Sequence, residues 1–133
     1  MSKLISILLL AFIFVSGEPA PKFNLTNSNG EKVSLEEYKG QVVYLTFWAS
    51  WCQPCLKGFH NSERIRLKLA KQGIVLINVG IDKEINKWEG TMTNVPMPGI
   101  NLYGGNDDQL KRDYELSKLP LSLIHISEPT RPY

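Results

Sequence analysis

Two stretches of the chain, "QVVYLTFWA" (41–49) and "GIVLINVGID" (73–82), are apolar, β-branched or aromatic at nearly every position. Runs without alternation predict strands buried on both faces. Between them, residues 52–72 read as a helix closed by Gly73, a residue suited to the left-handed turn that ends helices. The apolar residues of that helix (Leu56, Phe59, Ile65, Leu67, Leu69, Ala70) form no single stripe, so it is expected to touch other elements on two sides. Strand, helix and strand at these lengths predict a βαβ unit, with neighbouring parallel strands and a right-handed crossover.

The flanking patterns are weaker. Phe23 and Leu25 alternate with polar residues, which predicts a short edge strand, and "NSNG" (27–30) predicts a turn. Ser34 with Glu37 three positions later has the spacing of a capping box for a short helix that stops at Gly40. Beyond Asp82, "KEINKWEG" reads as one short helix, and "TMTNVPMPGINLYGG", with its prolines and glycines, as a loop or edge segment. "NDDQLKRDYEL" predicts a helix over about 107–114, and "SKLP" leads on to Pro120. There are no internal repeats and no low-complexity tracts.

The first residues follow another logic. A single early cation, Lys3, precedes an apolar run from Leu4 to Val15. The run is shorter than the roughly 20 residues that span a bilayer, and Val15 and Gly17 stand at the spacing of a signal-cleavage site. Residues 1–17 are therefore expected to be a cleaved signal peptide, the alternatives being an uncleaved anchor or a buried element of the domain. No cysteine follows the run, which argues against a lipid anchor.

The 133 residues suffice for one domain. With 21% charged residues and a net charge of +2, the balance is too mild to argue for nucleic acid or an anionic membrane surface as a partner. The basic cluster "RIRLKLAK" (64–71), with Lys57 upstream, reads as the solvated face of the helix.

The chemistry concentrates in "FWASWCQPC". Cys52 and Cys55 are the only two cysteines, and the loop they would close is too short to constrain the unfolded chain much. Cys52 falls at a predicted helix N-terminus, where unpaired amides and the macrodipole favour a thiolate. Cys55 lies one turn later on the same side, and Pro54 is tolerated in a first turn. Trp51 offers an apolar platform beside the pair. An attacking thiolate, a resolving thiol and a docking surface together make dithiol–disulfide exchange. A zinc site is not expected: Cys52, Cys55 and His60 lie in one helical stretch and no second Cys-x-x-Cys exists. Haem attachment would need His where Leu56 stands. A pair without chemistry is the remaining alternative, and His60 reads as a helix-surface histidine.

"GQVVYLTFWASWCQPC", preceded by "FNLTNSNGEKVSLEEYKG" and followed by "GIVLINVGID", resembles the thioredoxin-like TlpA/ResA family of exported thiol-disulfide oxidoreductases. The resemblance covers about Lys22 to Pro120 and implies an α/β thioredoxin-like fold, a central mixed sheet flanked by helices, over residues 18–120. It implies Cys52 as the exposed attacking thiol, Cys55 as the buried resolving one and Pro120 as a substrate-binding residue, beside Trp51 as apolar docking surface and Gln53 and Pro54 as the supporting pair read from the residues themselves. Pro120 matches the family's cis-proline, which faces the disulfide. Three departures stand out. The family commonly has Glu and Pro where this chain has Gly58 and His60, and thioredoxins proper have a buried Asp where Thr46 stands. Both acids credited with proton transfer to the resolving cysteine are absent, leaving water or His60. Finally, "LSLIHISEPTRPY" resembles a translated sequencing adapter, so residues 121–133 are expected to be non-native and the domain to be C-terminally truncated after Pro120, the alternative being a terminal strand over 121–126.

The expected function is exchange of disulfides with protein partners, supplied by an upstream electron donor or acceptor. No cofactor and no metal is needed, and the place is the periplasm or the outer face of the cytoplasmic membrane, with membrane contact only through an uncleaved signal segment. Two other classes compete. A peroxiredoxin-like thiol peroxidase would want Pro-x-x-x-Thr before its cysteine, where Leu45 and Ala49 stand. A non-enzymatic thioredoxin-fold binding module would keep the groove without turnover.

Overall fold

A computed structural model describes residues 20–126. The expected signal peptide (1–17) and the last part of the tail (127–133) lie outside the described residues.

The chain runs β1 (Asn24–Asn27), β2 (Lys32–Ser34), a 3₁₀ turn (Leu35–Tyr38), β3 (Val42–Trp48), α1 (Gln53–Lys71), β4 (Val75–Gly80), α2 (Ile85–Asn94), β5 (Ile100–Tyr103), α3 (Asp108–Asp113) and β6 (Leu121–Ile126). The six strands form one mixed sheet in the order β2-β1-β5-β4-β3-β6. The central βαβ unit is as expected: β3 and β4 are parallel neighbours in register from Val43↔Val75 to Trp48↔Gly80, with α1 as the crossover. β5 continues the parallel set beside β4, while β6 lies antiparallel to β3.

Both long apolar strands are interior, which explains their lack of alternation. Val43, Leu45, Phe47, Ile77 and Val79 are fully buried. Strand residues alternate between the two faces of the sheet. Trp48 meets Phe59 of α1 edge-on on one face. On the other, Phe47 packs 4.8 Å from the ring of Tyr114. The capping box forms, with the Ser34 hydroxyl accepting from the Glu36 amide and the Glu37 carboxylate accepting from the Ser34 amide.

Several expectations are corrected. β1 is not an edge strand: it lies between β2 and β5, pairing Thr26↔Tyr103 and Asn27↔Leu102. Residues 91–105 are not a loop or edge segment. α2 extends to Asn94, and Ile100–Tyr103 is an interior strand, because Pro96, Pro98 and Gly99 precede the strand rather than interrupt it. Gly99 is needed there: its φ is +115°, and a Cβ would fall 2.5 Å from the Leu76 carbonyl oxygen.

α1 buries one face, through Cys55, Phe59 and Arg66, rather than two, and Ile65 and Leu67 point to solvent. Arg66 is accordingly not on the solvated face, although Lys57, Arg64, Lys68 and Lys71 are. At the end of the chain the sheet continues past Pro120. Leu121–Ile126 pairs with β3 from Phe47↔Leu121 to Val42↔Ile126, the terminal-strand alternative for those six residues. An apolar segment of high β-propensity pairs with a free sheet edge whatever its origin. Ile124 and Ile126 project outward from this new edge.

Candidate active site

β3 delivers the chain to the end of the sheet, and the turn Ala49–Cys52 passes it into α1. The Cys52 amide donates to the Ala49 carbonyl at 3.0 Å, closing that turn. Cys52 is the N-cap of α1, with φ −90° and ψ 91°, and Pro54 sits in the first turn, where its missing N–H leaves no bond unmade. The Cys52 sulfur accepts the Cys55 amide at 3.2 Å. The two cysteines are joined by a disulfide with Cα atoms 5.3 Å apart.

Cys52 is not the exposed member of the pair in this oxidised form. Each residue is only 4% exposed, because the Cys52 sulfur turns back into the start of the helix to receive that amide. What distinguishes the two is the cap. Only Cys52 Sγ takes an amide hydrogen of the helix terminus, so a charge on sulfur is better stabilised there than at Cys55. Trp51 beside it is 69% exposed, an apolar surface next to the sulfur.

The Leu119–Pro120 peptide is cis, as the resemblance implies. The pairing Phe47↔Leu121 places Pro120 at the end of β3 from which the Cys52 turn departs. Gln53 and Pro54 are exposed and, with Leu56, Lys57, His60 and Val95, line a cavity of about 560 Å³ alongside the first turns of α1.

The acid positions are occupied differently. A Cβ at Gly58 would meet nothing within 4 Å, so that position is open. Thr46 is buried, and its hydroxyl accepts from the Arg66 guanidinium at 3.2 Å. Arg66 also donates to Ser62 Oγ and Asn78 Oδ1 and lies over the rings of Tyr44 and Phe59. Burial lowers its pKa from the usual guanidinium value. A carboxylate at position 46 would therefore face a buried cation.

Sequence reasoning missed one charged group near the pair. Asp82 is 2% exposed, and its carboxylate accepts from the Ser50 amide (3.0 and 3.1 Å) and the Ser50 hydroxyl (2.6 Å). Its signal was an acid closing an otherwise apolar strand, "GIVLINVGID". Among the described residues there is no cluster of three or more His, Cys, Asp or Glu able to hold a metal. Nor is any helix among them long and apolar enough to cross a membrane.

A mixed sheet flanked by helices, with a Cys-x-x-Cys disulfide at the start of the helix after β3 and a cis-proline at the same end of the sheet, defines a thioredoxin-like protein. The chain belongs to the AhpC/TSA family, whose model matches residues 16–125. Thiol-disulfide oxidoreductase ResA of Bacillus subtilis (strain 168) is 33% identical over 112 residues, covering 81% of this chain and 60% of the relative. ResA of Geobacillus kaustophilus is 38% identical over 110 residues, 81% of this chain and 62% of the relative. The chain thus spans about three fifths of the length of these relatives. A solved structure provisionally named a thiol:disulfide interchange protein DsbE, from Chlorobium tepidum, superposes with a TM-score of 0.72 at 28% identity, over 85% of this chain and 86% of that one. The thioredoxin domain of a thiol-disulfide oxidoreductase from Bacteroides vulgatus shares the fold at a TM-score of 0.76 and 18% identity, over 90% and 91% of the two chains.

Proposed function

We propose that this chain carries the catalytic domain of an exported thiol-disulfide oxidoreductase that exchanges disulfides with protein partners. The observation that carries the reading is Cys52 at the N-cap of α1, its sulfur receiving the Cys55 amide and bonded to Cys55. In the reducing direction the Cys52 thiolate attacks one sulfur of a partner disulfide. That S–S bond breaks, and the other partner sulfur leaves as a thiolate with the electron pair. Cys55 then gives its proton to solvent and attacks Cys52 Sγ, releasing the second partner sulfur as a thiolate. The partner ends with two thiols and the domain with its disulfide, which an upstream dithiol donor reduces again. The oxidising direction is the same path reversed.

Trp51 and Pro120 supply the docking surface for the partner backbone. Gln53 and Pro54 set the start of the helix and with it the ease of thiolate formation. A thiol peroxidase is disfavoured by Leu45 and Ala49 at the positions where that chemistry needs Pro and Thr.

The test is the Cys55→Ser variant, reduced and mixed with oxidised insulin. It is expected to accumulate a mixed disulfide through Cys52, while wild type turns over. A variant that forms no such adduct, beside a wild type whose cysteines alkylate alike at every glutathione ratio, would sink the proposal. Wild type that forms the adduct without turnover would support the binding-module class instead. Export through residues 1–17 predicts a mature protein beginning at Glu18, which N-terminal sequencing of the protein from a secreting host checks.

A further inference from the structure

Asp82 is a buried carboxylate that the exchange steps leave without a role. Its three hydrogen bonds all end on Ser50, two residues before Cys52, across 32 positions of sequence. The backbone that carries the carboxylate is itself firmly held. The Ile81 amide donates to the Trp48 carbonyl at 2.9 Å, extending the β3–β4 ladder to the residue before Asp82. On the far side Gly105 packs against the Asp82 carbonyl so closely that a Cβ there would lie 1.8 Å away. The Tyr103 hydroxyl donates to the Lys83 carbonyl at 2.8 Å, fixing the residue that follows.

The turn that Asp82 grips is buried at its two ends, Ala49 and Cys52, while Ser50 and Trp51 between them reach the surface. Between Trp48 and the first turn of α1, the backbone is held by the Cys52 amide bonding to the Ala49 carbonyl, and Trp51 stands in solvent. We infer that Asp82 is a positioning residue of the exchange site: through Ser50 it sets the turn that carries Trp51 and Cys52, and so aims the Cys52 sulfur. Displacement at a disulfide needs the attacking, central and leaving sulfurs nearly in line, and a misplacement of about 1 Å can cost on the order of a hundredfold in rate. A surface turn tied to a rigid interior carboxylate meets that demand. Ser50 held by solvent alone would not.

The inference rests on the exchange reading, and the experiment separates the two. The reduced protein and its variants are mixed with a small aromatic disulfide, which needs no docking surface, and in parallel with insulin. Asp82→Ala removes all three acceptor contacts. Asp82→Asn keeps an Oδ1 acceptor for the two contacts made there, so it is the conservative rescue. Ser50→Ala removes only the hydroxyl contact.

With circular dichroism confirming the folded state, Asp82→Ala is expected to slow reaction with the small disulfide about thirtyfold, Ser50→Ala about fivefold and Asp82→Asn about threefold. Asp82→Ala at the wild-type rate would overturn the inference. So would Asp82→Asn as slow as Asp82→Ala, which would assign the effect to charge, or a loss confined to insulin, which would assign it to docking. Should Asp82→Ala fail to fold, Ser50→Ala carries the test: slower exchange at an unchanged melting temperature supports the inference, and an unchanged rate overturns it. Wild type inert towards both disulfides would remove the exchange reading and this inference with it, whereas active wild type with unaffected variants removes this inference alone.

Discussion

Gly58 offers the cleanest perturbation. It lies within α1, exposed, where a Cβ would meet nothing within 4 Å. Glycine in a helix interior costs about 1 kcal/mol relative to alanine, because it surrenders more backbone freedom on folding. No contact has to shift to accept the methyl group, and the bond from the Ser62 hydroxyl to the Gly58 carbonyl uses backbone only. Gly58→Ala should therefore recover nearly the whole ~1 kcal/mol, worth about 4 °C in melting temperature for a domain of this size. Gly58→Glu should recover most of it and also place a carboxylate about one turn beyond Cys55, where the resembled family commonly has one. Thermal unfolding of both oxidised variants by circular dichroism reads the helix contribution. The pH dependence of partner-thiol release from the mixed disulfide, compared between the two variants, then isolates the carboxylate. Gly58→Ala melting at or below wild type would refute the helix argument. Indistinguishable pH profiles for the two variants would refute the view that a missing acid limits the resolving step.

Two further outcomes follow from packing. Tyr114 is buried against Phe47, and its hydroxyl donates to the Pro21 carbonyl, so burial pushes its pKa up to about 12 from 10.0. The unfolded chain loses this proton first. The contribution of this group should therefore be full below about pH 10 and be lost, by roughly 2–3 kcal/mol at most, as pH rises towards 12, a loss that Tyr114→Phe abolishes in urea titrations across that range. Gly99→Ala should destabilise by about 3 kcal/mol, since φ of +115° strains any side chain and the Cβ would press on the Leu76 carbonyl. Its urea midpoint checks this, and a midpoint equal to wild type would contradict the geometry at β5.

The parts of this protein that could be read directly are those whose physics is local. The unbroken apolar runs of β3 and β4, the helix between them and the cysteine pair at its start are contiguous, so periodicity and capping chemistry suffice to place them. The capping box at Ser34 and Glu37 is local in the same sense. β1 and β5 are short and partly polar, and they declare themselves only when each finds its neighbour in the sheet; the prolines before β5 disguised it as a loop. Arg66 sits in a basic run that reads as surface, yet α1 turns it inward between two aromatic rings.

The sequence by itself determined the βαβ unit, the cysteine pair and its place at a helix N-terminus, because hydrophobic period and helix capping act over a few residues. Only the tertiary structure decided that both cysteines are covered in the disulfide form, that Thr46 faces a buried guanidinium, and that Asp82 reaches Ser50. Each of these depends on which distant segments the sheet order brings together. A hydrogen bond spanning 32 residues leaves no periodic trace in the chain that makes it.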